Sequence, residues 1–210
     1  MLRTITETLK LKSIMLFTHS VSVAKISCEV YEKLYYSRGN IKENLEMLMI
    51  AGILHDVGKL SVPDDVMNKK EKPTHREMEL IKLHPVISCE FFKDLFKPHH
   101  LLSEEKVNKI YSLIRGHHEL PNGDGYPDGL YANDMSPELK LMCIVDKVCA
   151  LSEERPYRSM VYPVESIMKS VVCDMAWKLN ESEIKIIIDF FNHKFTKNSS
   201  NILNSPVPIL

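Results

Sequence analysis

Two adjacent polar residues, His55 and Asp56, continue an apolar stripe formed by Leu45, Leu48, Met49 and Gly52. Steps of three and four residues trace one face of a helix, and an apolar face is a buried one. An imidazole and a carboxylate are therefore expected in the protein interior. An unpaired carboxylate there costs several kcal/mol, so any fold that accepts this chain must bring Asp56 a partner. A metal ion is an economical one, and the remaining sequence supplies further ligands.

The 210 residues suffice for one sizeable core. With 44% hydrophobic residues, 26% charged residues and only 7 glycines, the composition suits an ordered helical protein. Lys+Arg 27 against Asp+Glu 28 leaves a net charge of -1, so no global field points to polymeric nucleic acid or a membrane surface. The five cysteines include no Cys-x-x-Cys pair, which argues against a disulfide framework and a zinc ribbon. Neither a signal-peptide core nor an apolar run long enough to span a bilayer is present. The expectation is a cytoplasmic protein without membrane insertion.

The chain reads as almost entirely helical. Helices are expected over about 4–36, broken near Thr18, and over 42–56, with a turn or short helix at Val62-Pro63-Asp64-Asp65. Thr74 and Glu77 form a capping box for a helix to about Leu83, and Pro85 starts another. Further helices are expected at about 103–118, 136–153, 163–178 and 181–194. Between them, Pro121-Asn122-Gly123-Asp124-Gly125-Tyr126-Pro127-Asp128-Gly129 must be a loop. The expectation is a single-domain, all-α helical bundle over residues 1–195, followed by a flexible C-terminal tail, 196–210.

Several other polar residues fall on inward faces. His19 shares a stripe with Leu16, Val23, Ile26 and Val30, and Asp146 shares one with Leu139, Met142 and Cys149. His84 precedes Pro85 at a helix junction, while His117 and His118 end a helix whose inner positions are Ile110, Leu113 and Ile114. His75, His99, His100 and His193 read as surface residues. One core histidine is usually hydrogen-bonded packing. Seven such residues (His19, His55, Asp56, His84, His117, His118, Asp146) on five segments suit one contribution per helix or helix pair to a common interior.

Five imidazoles and two carboxylates exceed the needs of one tetrahedral zinc. They fit two octahedral divalent ions sharing a carboxylate. The absence of thiolates favours iron or manganese, with zinc, cobalt and nickel compatible. Two ions about 3.5–4 Å apart activate a bridging hydroxide for in-line attack on phosphorus.

The ordered set His55-Asp56-Val57-Gly58-Lys59, His84-Pro85, His117-His118-Glu119, Gly125-Tyr126-Pro127 and Arg155-Pro156-Tyr157-Arg158 resembles the HD-GYP family. That family is a branch of the HD phosphohydrolases that hydrolyses cyclic dinucleotides, and the match spans roughly 15–165. The resemblance implies the HD-domain fold with a buried dinuclear metal site. It selects the same seven residues as ligands, with Asp56 bridging and catalytic. It implies that Lys59 contacts the scissile phosphate, that Gly125, Tyr126 and Pro127 shape the substrate cleft, and that Arg155 and Arg158 approach the phosphates or the guanine.

The implied activity is hydrolysis of cyclic di-GMP to linear pGpG by a metal-bridging hydroxide. The alternatives are the same chemistry on cyclic GMP–AMP, or a catalytically weak cyclic-dinucleotide receptor and docking module. A diguanylate cyclase or another signalling protein would be a natural partner. Met15 stands where members with three metals carry a glutamate, so two ions are expected. Cys149 replaces a usual Asp, which leaves a supporting oxygen contact in doubt. Asn122 replaces another Asp, and Ser88 replaces a Gly as a minor packing change. The start at Met1, with about 15 residues before the first ligand, mildly favours a stand-alone protein over a catalytic piece.

Overall fold

The structure, a computed structural model, describes residues 2–38, 41–96, 102–153, 162–175 and 179–197. Among the described residues ten α-helices run in order: α1 (Leu2–Lys12), α2 (Ile14–Tyr35), α3 (Lys42–Leu54), α4 (Asp64–Met67), α5 (His75–Ile81), α6 (His84–Phe96), α7 (Glu104–Gly116), α8 (Pro137–Ser152), α9 (Val164–Met175) and α10 (Glu181–Lys197). Among the described residues there is no sheet, only an isolated antiparallel bridge between Asn122 and Tyr131. The all-α expectation is borne out.

Helix α3 is the centre of the bundle, packed against α2, α7 and α8. Met47, Leu48, Ile50, Ala51, Gly52, Ile53 and Leu54 are all buried, so the C-terminal half of α3 is enclosed on every side and is not a one-faced amphipathic helix. Gly52 permits the closest approach: a Cβ there would lie 2.5 Å from Ala24 Cα on α2. The backbones of α2 and α3 thus meet near the level of His19 and His55. Helices α9 and α10 pack against each other, with α9 also on α8 and α10 on α2.

Two boundaries differ from the sequence reading. The first helical stretch breaks at Ser13, whose side chain caps α2 by accepting the Leu16 N–H at 3.2 Å. Thr18 instead remains helical, its hydroxyl donating to the carbonyls of Ile14 and Met15. Helix α3 ends at Leu54, with His55 as its C-cap, and Asp56 leads into a 3₁₀ turn, Val57–Ser61, that packs on α6. The Thr74–Glu77 capping box forms as expected. Among the described residues no helix is long and apolar enough to cross a membrane.

Candidate metal centre

Helix ends deliver most of the polar interior. His55 caps α3, His84 begins α6, and His117 caps α7. At such ends the carbonyl three residues back is free to accept a side-chain donor. Each ring uses it: the Nδ1–H of His55 donates to Gly52 O at 2.8 Å, that of His84 to Ile81 O at 2.7 Å, and that of His117 to Ile114 O at 2.7 Å. A carbonyl only accepts, so these contacts put the proton on Nδ1 and leave a lone pair on Nε2 of each neutral ring.

Those lone pairs converge on Asp56. His84 Nε2 lies 3.1 Å from Asp56 Oδ1 and 3.1 Å from His117 Nε2, while His117 Nε2 is 3.7 Å from Asp56 Oδ1. On the other oxygen, His55 Nε2 is 3.5 Å and His19 Nε2 3.6 Å from Oδ2. His55 Nε2 and Asp56 Oδ1 are buried without a hydrogen-bond partner. Lone pairs facing one another at these distances repel, and a cation between them removes the repulsion.

Two donor groups emerge. Asp56, His84, His117 and His118 place one ligand atom each within 4.8 Å of one another, and so do His19, His55 and Asp56. Asp56 belongs to both. Asp146 reaches towards each, with Oδ1 at 3.0 Å from His19 Nε2 and 3.5 Å from His55 Nε2, and Oδ2 at 3.7 Å from His118 Nδ1. The seven residues flagged by their burial pattern are therefore brought together, and the clustered His and Asp side chains fit divalent metal.

Protonation favours ligation in one half. Burial lowers the pKa of His84 to about 4 and lowers that of His117, and burial together with neighbouring His117 holds His118 well below the usual value. These rings are neutral at physiological pH, as ligands must be. Burial opposes ionisation of Asp56, but the Lys59 ammonium beside it outweighs burial and holds the carboxyl well below the usual range. For Asp146, the hydrogen bond with His19 outweighs burial in the same way. His19 differs: burial lowers its pKa, but hydrogen bonds to Asp146 and Glu153 raise it to about 9. Cys28, Cys89, Cys143 and Cys149 stand outside both donor groups, consistent with a nitrogen and oxygen site.

Lys59 Nζ sits 2.6 Å from Asp56 Oδ2, partly open to solvent. The Gly125-Tyr126-Pro127 loop closes one side of the site. The Tyr126 N–H donates to His118 O at 3.2 Å, and its ring lies 4.8 Å from the His118 ring. Gly125 is required there, because a Cβ would lie 2.3 Å from Leu120 N. Pro127 follows a cis peptide bond. Arg155 and Arg158 lie outside the described residues.

Three contacts were missed by sequence reasoning. Glu119 is buried, and its carboxylate accepts the N–H groups of Asp128 (2.6 Å), Gly129 (3.1 Å) and Leu130 (2.8 Å), which fixes the far end of the loop. Ser88 is more than a packing change: its Oγ accepts the Gly58 N–H at 2.8 Å and ties the 3₁₀ turn to α6. Glu153 holds His19. Asn122 stays within the loop, bonded to Asp124 through both ends of its amide. Met15 is half-buried on α2.

Fold and site together define a helical protein whose interior is arranged to receive divalent cations. The HD domain family model matches residues 16–151, and the chain belongs to that family. The chain is 34% identical over 121 residues to the cyclic di-GMP phosphodiesterase response regulator RpfG of Xanthomonas campestris, covering 57% of this chain and 30% of that protein. To 3'3'-cGAMP-specific phosphodiesterase 1 of Vibrio cholerae it is 29% identical over 147 residues, covering 70% of this chain and 31% of the relative. The chain thus spans under a third of the length of these relatives. Among solved structures, Bd1817, an HD-GYP protein from Bdellovibrio bacteriovorus, shares the fold with a TM-score of 0.61 at 23% identity, over 83% of this chain and 51% of that one.

Proposed function

We propose that the chain is a metal-dependent phosphodiesterase that hydrolyses cyclic di-GMP to linear pGpG. The observation that carries this reading is the pair of donor groups sharing Asp56. His19, His55 and Asp56 would hold one ion, and Asp56, His84, His117 and His118 a second, with Asp146 completing the set. Iron or manganese suits these nitrogen and oxygen donors. When bound, two such ions supply an activated water and neutralise charge on the phosphoryl oxygens.

The chain's own groups do the remaining work. Lys59 is a partly exposed ammonium beside the donor groups, suited to a phosphate oxygen. The Tyr126 ring offers an aromatic face beside His118 for a base. Burial, reinforced by Asp56 and Asp146, raises the pKa of the Tyr126 phenol, so its hydroxyl keeps its proton at neutral pH and can donate to substrate. Arg155 and Arg158 supply further cations for phosphate or guanine. The Vibrio cholerae relative favours one second reading, the same chemistry on cyclic GMP–AMP.

Chromatographic product analysis on protein loaded with manganese or iron under reducing, oxygen-free conditions tests the proposal. Conversion of cyclic di-GMP to pGpG is the expected result, with cyclic GMP–AMP turned over more slowly. Cyclic di-GMP that binds the loaded protein and stays intact would overturn it and favour a receptor.

A further inference from the structure

His19 is held differently from the other ligand imidazoles. His55, His84 and His117 stand at helix ends, where a nearby carbonyl is free for Nδ1–H. His19 lies inside α2, where the carbonyls of the preceding turn are engaged in helical hydrogen bonds. Its ring must find an acceptor elsewhere. The acceptor comes from 134 residues away in sequence, where Glu153 at the C-cap of α8 places Oε2 at 2.9 Å from His19 Nδ1. Glu153 belongs to neither donor group, and its side chain is 27% exposed. One turn earlier on α8, the buried residue is Cys149, whose thiol offers only a weak acceptor. The supporting oxygen that Cys149 does not provide is present four residues further on.

We propose that Glu153 is a positioning residue for His19, fixing its tautomer so that Nε2 faces the cation site and strengthening that imidazole as a donor. The proposal rests on the reading that these residues hold divalent ions. A carboxylate acceptor gives a hydrogen bond roughly twice as strong as a neutral one. Loss of such an outer partner typically costs about 10–100-fold in metal affinity. The effect is confined to one half of the site, because His84 and His117 are held by backbone carbonyls that substitution at position 153 leaves in place. The two halves therefore respond unequally to this one side chain.

The test is chelator-competition titration of the metal-free 210-residue chain with manganese, in wild type, Glu153→Gln and Glu153→Ala, with circular dichroism to verify folding. Wild type should take up two equivalents. In Glu153→Gln one equivalent should weaken by about 10-fold, and in Glu153→Ala by up to about 100-fold, with the other unchanged. The amide of Gln still accepts from Nδ1–H but lacks the charge, which sets that order. In zinc-loaded protein, the low-field Nδ1 proton resonance of His19 should shift upfield in Glu153→Gln. Unchanged affinity for both equivalents in both folded variants would overturn the proposal, as would equal weakening of the two. Such a result would leave hydrolysis of cyclic di-GMP by wild type untouched, whereas a wild type that takes up no metal would fail the functional reading first.

Discussion

Asp56 stays ionised at full burial because the Lys59 ammonium compensates its charge, while the neutral rings around it direct lone pairs at its oxygens. A buried carboxylate needs partners at Glu119 too, next to His118 in sequence. Its carboxylate is buried and answers three consecutive backbone N–H groups in the loop after Pro127. Glu119→Ala strands those donors and should cost about 3 kcal/mol in urea unfolding. A loss under about 0.5 kcal/mol, the range of an ordinary surface change, would contradict this account of the loop. Polar residues on apolar faces were legible in sequence because periodicity exposes them. The roles of Glu119, Ser88 and Glu153 were not, because their partners are backbone groups or a ring far along the chain, and no spacing rule links them.

At the scale of elements, helix ends do most of the positioning. The sequence reading extended α3 through Asp56, whereas the helix stops at Leu54 and the 3₁₀ turn carries Asp56 between the two donor groups. A stripe of apolar residues marked α3 as helical but could not reveal that the remaining faces of its C-terminal half are enclosed too. Burial on every side is a property of the neighbouring helices. The contact of α3 with α2 depends on Gly52. Gly52→Ala would drive a Cβ to 2.5 Å from the Ala24 backbone, so the helices must part. The expected cost is about 1–3 kcal/mol, seen as a lower Tm. An unchanged Tm would show that the helices have room to spare.

Across the whole molecule, five segments converge on one interior point, with His19 and Asp146 in contact across 127 residues of sequence. The all-α class and the clustering of buried polar side chains were legible, because those positions recur about once per helix or helix pair. That Asp56 is the carboxylate shared by the two groups was expected only through family resemblance, since it depends on how α2, α6, α7 and α8 meet. The most direct test of that shared carboxylate is the metal content per chain after anaerobic manganese loading and chelator-buffered dialysis, in wild type and in a folded Asp56→Ala variant. Wild type should hold two ions per chain, and Asp56→Ala should lose both. A wild type holding one ion or none, or an Asp56→Ala variant keeping a full equivalent, would contradict the shared carboxylate.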